Sequence, residues 1–158
     1  MTSPTPTIHA LHGFLGSGKT TLARKLEREL SAMRFSSDEW MTTLYGQDPP
    51  AELFGDYRAR VLGVMRRCWV RALELGLDVV LDEGLWTRAE RDALSVEAEK
   101  LGAALIIYAL NTPEGLARER IRRRNAQPGA LFIAENTYDL FRPRFEPLDE
   151  GEKRVEVE

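Results

Sequence analysis

The chain has 158 residues, of which 43% are hydrophobic and 30% charged; this is typical of one soluble domain with a buried core. The formal net charge of −3 argues against a large nucleic-acid footprint. One cysteine excludes an internal disulfide, and no apolar run approaches the length of a membrane span. We therefore expect a cytoplasmic protein. Residues 1–6 lack a signal-peptide pattern and are expected to form a disordered tail.

The first predicted elements are a strand, a glycine-rich loop and a helix. Residues 7–12 have the pattern of a short buried strand, and residues 20–30 have helical apolar spacing. The loop between them carries a complete Gly-x-x-x-x-Gly-Lys-Thr motif, which in this setting predicts a phosphate-binding loop. Its sequence is Gly13-Phe14-Leu15-Gly16-Ser17-Gly18-Lys19-Thr20.

Each residue type in this loop has a physical reason. Gly16 and Gly18 allow close approach of phosphate, and successive N–H groups form an anion nest at the positive end of the helix dipole. Lys19 is predicted to bind the β- and γ-phosphates and to act in catalysis, and the Thr20 hydroxyl to bind Mg²⁺. ATP is the default nucleotide and GTP stays open, because the chain has no Asn-Lys-x-Asp signature. The predicted nucleotide site from this loop comprises Gly13, Leu15, Gly16, Ser17, Gly18, Lys19, Thr20 and Thr21.

The rest of the chain alternates strands and helices, which predicts an α/β fold with a parallel sheet and helices on both faces. Further strands are predicted at 32–36, 79–82, 103–110 and 154–158. Helices are predicted at 37–44, 53–75, 88–101, 113–124 and 138–141. Cys68 is expected on the buried face of the long helix. Ligands of such sheets bind beyond the carboxyl ends of the strands, so residues directly after each strand are the candidates for function.

Two such positions carry acids. Asp38 is well placed to accept the proton of an attacking hydroxyl, although it would equally suit the first turn of a helix. Glu39 is interpreted as half of a capping box with Ser36. Asp82 ends the third strand and is predicted to hold Mg²⁺ through water, with Glu83 as the alternative.

Five arginines crowd the helix at 113–124. Arg118, Arg122 and Arg123 have acids at helical spacing and are explained as a solvated face. Arg120 and Arg124 lack such acids, so we predict that they close over the nucleotide and neutralise the transferring phosphoryl group. RNA binding is the other interpretation of this cluster, and the acidic balance disfavours it.

The segment after the third strand suggests an acceptor pocket. Trp86 and Arg88 are candidate substrate residues, with Arg88 meeting an anionic group. The alternative for this segment is a packed Trp86 with Arg88 and Arg91 in solvent. His9 and His12 lie on the first strand and are expected to be packed rather than catalytic.

These features together resemble the small P-loop kinases akin to chloramphenicol phosphotransferase, zeta toxins and the polynucleotide 5′-kinase domain. More closely, the chain resembles bacterial "AAA family ATPase" proteins of that superfamily. The matching segments span nearly the whole chain: residues 13–20, 38–40, 44–46, 81–88 with Arg91, 120–125 and 145–147.

The resemblance implies one three-layer P-loop NTPase domain over residues 1–158, with strand order 2-3-1-4-5. It also implies Asp38 as catalytic base and Arg120 or Arg124 in a lid at about 118–136. Two features depart from it. Met41 stands where polynucleotide kinases carry a phosphate-binding arginine, and the chain is too short for a hexameric motor of the AAA type.

The leading hypothesis is an ATP- and Mg²⁺-dependent kinase that phosphorylates a hydroxyl of a small molecule, as a monomer or dimer. A nucleotide or polynucleotide 5′-hydroxyl as acceptor is the second hypothesis, with nucleic acid disfavoured. The third is an ATP-binding switch or accessory ATPase that depends on a partner.

Overall fold

Five parallel strands form one sheet with the order β2-β3-β1-β4-β5, as the resemblance implied. The computed structural model describes residues 4–128, Ala130 and 132–157. The strands are β1 (Thr7–His12), β2 (Met33–Phe35), β3 (Val79–Leu81), β4 (Ala104–Leu110) and β5 (Val155–Val157). The helices are α1 (Lys19–Leu30), α2 (Ser37–Tyr45), α3 (Ala51–Glu74), α4 (Arg88–Lys100), α5 (Glu114–Asn125) and α6 (Thr137–Phe141), and a 3₁₀ turn follows at Arg142–Arg144.

The predicted elements are all present, and the ends that lie in the described residues differ by at most two positions. Of the predicted segments, residues 1–3 of the tail and Glu158 of the last strand lie outside the described residues. Pro6, which the prediction placed in the tail, accepts a hydrogen bond from the Ala104 amide at 3.0 Å. The ladder between β1 and β4 therefore begins at the end of that segment.

The core lies on both faces of the sheet, because side chains of β1 alternate between them. Ile8 and Ala10 pack with α3 and α4, whereas Leu11 packs with α1. Both strands beside β1 are parallel to it, and Ile8 pairs with Val79 on one side and Leu105 on the other. The carboxyl ends of β1, β3 and β4 thus meet at one edge, where the loops that follow them converge.

The expected burial of Cys68 is wrong, because its side chain is exposed. The prediction placed Met65, Cys68 and Ala72 on the apolar stripe of α3. Met65 and Ala72 are buried as predicted, and Trp69 and Leu73 are buried beside them. The stripe is therefore centred away from Cys68, which lies at its edge and faces solvent.

Aromatic residues form a third packed group under the phosphate-binding loop. Phe14 contacts Tyr138 edge-on at 4.8 Å and Trp86 at 5.0 Å between ring centroids. His12, buried as expected, stacks on Phe145 at 4.9 Å. Among the described residues, none of the helices combines the length and the apolar character needed to cross a bilayer.

Candidate active site

A cleft of about 1600 Å³ opens at the carboxyl edge of the sheet. The loop after β1 forms one wall, and α2, α3 and the segment after β3 form the other. Most of the residues predicted from sequence line this cleft, whereas Gly13 and Arg88 do not. Those that do are Leu15, Gly16, Ser17, Gly18, Lys19, Thr20, Thr21, Asp38, Asp82, Glu83, Trp86, Arg120 and Arg124.

The loop requires glycine at two positions. Gly16 has φ 70° and Gly18 has φ 88°, in the left-handed region that favours glycine. A Cβ at Gly16 would lie 2.3 Å from the carbonyl oxygen of Ala117 in α5. The loop is therefore packed directly against α5, and it lines the cleft at the N-terminus of α1, where an anion is favoured.

Gly13 supports the loop from below. Its amide donates to the Gly84 carbonyl, and its carbonyl accepts from the Trp86 indole, both at 3.2 Å. These two bonds tie the start of the loop to the segment after β3. Gly13 therefore has a structural role at the start of the loop. Its contact with nucleotide stays a prediction.

The Lys19 ammonium is held at the loop. Its Nζ donates to the Phe14 carbonyl at 2.9 Å. Burial lowers the pKa of this ammonium, while the carboxylates of Asp82 and Asp38 oppose the shift. A desolvated cation in this position interacts strongly with any anion that enters the loop.

Thr20 and Asp82 come together although 62 positions separate them. The Thr20 hydroxyl donates to Asp82 Oδ2 at 2.9 Å. Burial raises the pKa of the Asp82 carboxyl, and this hydrogen bond opposes the shift. A hydroxyl and a carboxylate are hard oxygen donors of the kind that suits Mg²⁺ beside phosphates. No group of three or more metal-ligating side chains is found in the described part of the chain, so substrate phosphates and water would complete such a site.

Behind this pair lies Arg34, which the sequence analysis missed. Its Nη1 is 3.7 Å from Asp82 Oδ2, and its Nη2 donates to Glu39 at 2.9 Å. Arg24 also donates to Glu39, at 3.0 Å. The capping-box interpretation of Glu39 is therefore half wrong. The Ser36 hydroxyl accepts from the Glu39 amide at 3.3 Å, as that interpretation requires. The Glu39 carboxylate instead bonds the two arginines, because each of them offers a charged donor.

Asp38 lies in the first turn of α2 and faces the cleft. Arg124 of α5 donates to its Oδ2 at 3.3 Å. The other candidate lid residue, Arg120, lies over the loop: a Cβ on Gly18 would be 3.1 Å from its Nη1. The structure thus separates two arginines that the sequence treated alike, one at the phosphate loop and one at the predicted base.

The predicted surface arginines of α5 form ion pairs. Arg118 bonds Glu114 at 2.7 Å and also Asp139. Arg123 pairs with Glu119 at 2.5 Å. Arg122 reaches toward Glu135 of the lid segment instead of an acid on its own helix. Arg122 and Arg123 are exposed, as a solvated face requires, whereas Arg118 is half-buried with its guanidinium over the Tyr138 ring at 4.5 Å.

A second missed residue, Arg58, completes a network beside Asp38. Glu83 accepts from the Ser37 amide at 2.9 Å and from its hydroxyl at 2.8 Å. Arg58 donates to the same hydroxyl at 3.1 Å and to Glu83 at 3.3 Å. Burial raises the pKa of Glu83, and Arg58 opposes the shift. The available signal was the spacing of Phe54, Arg58 and Leu62, which places one face of α3 in the cleft.

The arginines after β3 take two different positions, and neither is in the cleft lining. Arg88 bonds Asp92 at 2.9 Å and also pairs with Asp149, so its guanidinium is already engaged. The expectation of a solvated Arg91 is wrong. This side chain is buried, bonds Glu152 at 2.8 Å and donates to the Leu85 carbonyl at 2.9 Å.

Leu85 has a strained backbone, with φ 49°. Two buried groups converge on its carbonyl oxygen, Arg91 Nη1 at 2.9 Å and His12 Nδ1 at 3.0 Å. Burial lowers the pKa of His12. This pair of contacts holds the strained turn that carries Trp86 into the cleft.

Comparison with known proteins identifies the family. The model of the AAA domain family matches residues 8–148. The chain belongs to this AAA domain family. A search of curated proteins found no significant match.

Solved structures share the fold of this AAA domain. A candidate kinase from Chloroflexus aurantiacus has a TM-score of 0.77 at 20% identity, with 97% of this chain and 88% of that chain covered. A gluconokinase from Sinorhizobium meliloti has a TM-score of 0.66 at 19% identity, with 97% and 82% covered. A chain of the Pnkp1/Rnl/Hen1 RNA repair complex has a TM-score of 0.73 at 21% identity; 90% of this chain aligns with 45% of that one. The resemblance to small P-loop kinases is thus confirmed as a shared fold.

The segment after α5 returns across the cleft of this AAA domain. The Asn125 side chain bonds both backbone groups of Ile133, donating at 2.6 Å and accepting at 2.9 Å. The Phe132 amide donates to the Gln47 carbonyl at 3.0 Å, between α2 and α3. Gly129 and Leu131, within the predicted lid, lie outside the described residues.

Proposed function

We propose that the protein is a Mg²⁺- and ATP-dependent phosphotransferase that moves the γ-phosphoryl group to a hydroxyl of a small molecule. One observation carries this proposal: a complete phosphate loop, the Thr20–Asp82 pair and the Asp38 carboxylate line the same cleft. The AAA domain family and the kinase fold support a nucleotide-dependent reaction of this type.

The phosphate end of the cleft suits a nucleoside triphosphate. The loop amides and Lys19 would bind the phosphates, and Arg120, whose guanidinium lies beside Gly18, would neutralise a γ-phosphoryl group. The oxygens of Thr20 and Asp82 fit Mg²⁺, which when bound would screen the charge of the phosphates. The residues that would hold it are Thr20 directly and Asp82 through water.

The transfer step assigns each group a role. Asp38 accepts the proton of the acceptor hydroxyl, and the new bond forms between that oxygen and the γ-phosphorus. The bond from the γ-phosphorus to the bridging oxygen breaks, and ADP leaves with that electron pair. Asp38 must exchange its contact with Arg124 for the acceptor hydroxyl, and Arg124 is then free to turn toward the transferring group.

The acceptor site would lie between α2, α3 and the segment after β3. Phe54 and Leu62 line it from α3, and Trp86 from the opposite side. The cleft of about 1600 Å³ exceeds the usual volume of a site for one small ligand, so a nucleotide and a small acceptor fit together. We treat residues 1–158 as one kinase domain whose lid spans about 118–136.

A polynucleotide 5′-hydroxyl is the second candidate acceptor, since one similar fold belongs to an RNA repair complex. The side chain of Met41 is fully buried, so α2 presents no cation to a nucleic-acid phosphate at this position. This observation favours the small-molecule acceptor.

The test is incubation of the purified protein with Mg²⁺ and ATP and a pooled library of hydroxyl metabolites, antibiotics, nucleosides and oligonucleotides. Mass spectrometry then reports which compound gains the mass of a phosphate. We expect one small-molecule class to gain it, and Asp38→Asn to abolish the gain. An oligonucleotide product would select the second candidate. ATP binding without any product would favour a partner-dependent switch instead.

A further inference from the structure

The two walls of the cleft carry opposite charge. The lining residues from α1 and α5 include six cations and no carboxylate: Lys19, Arg24, Lys25, Arg120, Arg123 and Arg124. The lining residues from α2 to the start of α4 include six carboxylates and one arginine: Asp38, Glu39, Asp48, Asp82, Glu83, Glu90 and Arg58. We call these the cationic wall and the acidic wall.

The one cation of the acidic wall is already paired. Arg58 donates to Glu83 at 3.3 Å and to the Ser37 hydroxyl at 3.1 Å. Glu83 is fixed in turn by both donors of Ser37, at 2.9 and 2.8 Å. An arginine held against a carboxylate in this way offers no net positive charge to an incoming anion.

The other ion pairs at this wall leave two of its carboxylates, Asp48 and Glu90, without a partner among the described residues. Both side chains are exposed. Arg144 from the 3₁₀ turn lines the cleft, but its guanidinium lies over the Phe141 ring at 4.8 Å. Arg124 reaches across from the cationic wall and is engaged with Asp38 at 3.3 Å. Glu39 is paired with Arg34 at 2.9 Å, and Asp82 lies 3.7 Å from the same guanidinium. An anion entering here would therefore face the charge of Asp48 and Glu90, in a cleft that focuses their field.

We infer that the acidic wall selects against anionic acceptors, so that the acceptor is a hydroxyl compound without a phosphate or carboxylate group. The inference rests on the proposed function and names the substrate class of that same site. The cationic wall attracts the polyphosphate, while the acidic wall rejects a second anion by like-charge repulsion. The apolar side chains of Phe54, Leu62 and Trp86 meet the uncharged part of the acceptor.

The first test compares matched acceptors that differ in one anionic group. Adenosine is paired with 3′-AMP, glucose with glucose 1-phosphate, and ribose with ribose 1-phosphate, within a wider library built of such pairs; in each pair the primary hydroxyl stays free. For whichever pair the enzyme uses, we expect the uncharged member to react at least about tenfold better in kcat/KM. Equal or better transfer to the anionic member would overturn the inference while the proposed function stands. Absence of transfer to all members, with ATP bound, counts against the proposed function alone.

The second test needs no turnover. Wild-type protein saturated with a nonhydrolysable ATP analogue and Mg²⁺ is titrated with sulfate at constant ionic strength, and NMR follows the Arg58 guanidinium and the Trp86 indole. We expect no saturable shift. Glu83→Gln, which keeps the shape and releases Arg58, should gain saturable sulfate binding, and Glu83→Gln with Arg58→Gln should lose it again.

Saturable sulfate binding near Arg58 in the wild type would overturn the inference. If Glu83→Gln does not fold, the variant Asp48→Asn with Glu90→Gln replaces it, since both side chains are exposed. Removal of these two charges should allow weak sulfate binding at the acidic wall. An unchanged response of a folded variant of either kind would also overturn the inference.

Discussion

The phosphate end and the acceptor end of the cleft are built in different ways. The proposed phosphate end is centred on one loop of eight consecutive residues, to which the fold adds Asp82 and Arg120. The acceptor end is assembled from α2, α3 and the segment after β3, and its contacts join residues 21 to 46 positions apart. The proposed phosphate site is therefore mostly local in sequence, whereas the proposed acceptor site depends on the folded sheet edge. The following variants test that division.

The largest loss is expected for Lys19→Ala at the phosphate end. It removes the ammonium that would face the γ-phosphate, so transfer should fall by roughly 10³–10⁵-fold, the scale of a transition-state cation. Steady-state transfer to the acceptor found by mass spectrometry measures it. Lys100→Ala at the far end of α4 is the control and should behave as wild type. Turnover of Lys19→Ala within twofold of wild type would contradict the site.

Asp38→Asn at the acceptor end should lower kcat by roughly 10²–10⁴-fold, the usual contribution of a general base. The affinity for Mg²⁺ and ATP should stay close to wild type, because the loop is untouched. Calorimetric titration with a nonhydrolysable analogue separates the two effects. Asp56→Asn is the matched control, since that exposed carboxylate of α3 pairs only with Arg60 among the described residues. Wild-type transfer by Asp38→Asn would remove the base from the mechanism.

Arg120 and Arg124 lie between the phosphate end and the acceptor end of the cleft, so their variants refine the comparison of the two ends. Arg120→Gln should lower kcat by about 10²-fold, because this guanidinium lies over the phosphate loop. Arg124→Gln should cost less, and its effect should depend on Asp38, its partner at 3.3 Å. A double-mutant cycle of Arg124→Gln with Asp38→Asn measures this coupling. Additive losses would show that the ion pair has no part in transfer.

The smallest effect is expected outside the cleft, at Glu152. The hydrogen bond from Arg91 lowers the pKa of this carboxyl. The ionised form is favoured in the folded protein, so its stabilisation is present above the ordinary glutamate pKa of about 4.3 and is lost as the pH falls through the lowered pKa. Glu152→Gln should lower Tm by a few degrees at neutral pH.

Thermal unfolding of both proteins across the acid range tests this linkage. The difference in Tm between wild type and Glu152→Gln should shrink as the pH falls below the ordinary glutamate value. Glu150→Gln, an exposed neighbour, is the control and should show no such trend. A pH-independent difference would assign the effect of Glu152→Gln to packing instead.

Much of the fold could be predicted, because the relevant signals are local. The apolar runs of β1, β3 and β4 and the helical spacing of α1 and α3 are each readable within one element. Strand order was implied by the resemblance and agrees with the structure. Residues directly after the strands were rightly singled out as neighbours, since Thr20 and Asp82 meet at 2.9 Å.

Most of the missed contacts join residues that are distant in sequence, although Arg34 also meets Glu39 five positions away. Arg58 meets Glu83, and Arg91 meets Glu152, only after the helices have packed on the sheet. Arg34 lies on a three-residue strand whose side-chain direction depends on the register with β3. No spacing rule reveals such pairs, because helical and strand periodicity relate only residues within one element.

The contact between Gly16 and Ala117 joins α5 to the phosphate loop. Ala117 packs closely against the loop, since a Cβ at Gly16 would meet its carbonyl oxygen. A tilt of α5 would therefore pivot about this contact. Arg124 lies seven residues farther along the helix, about 10 Å from that point. A tilt of roughly 20° would displace it by about 4 Å, more than the 3.3 Å that separates it from Asp38. A tilt of that size would break the ion pair between Arg124 and Asp38, while the end of the helix at the loop would hardly move.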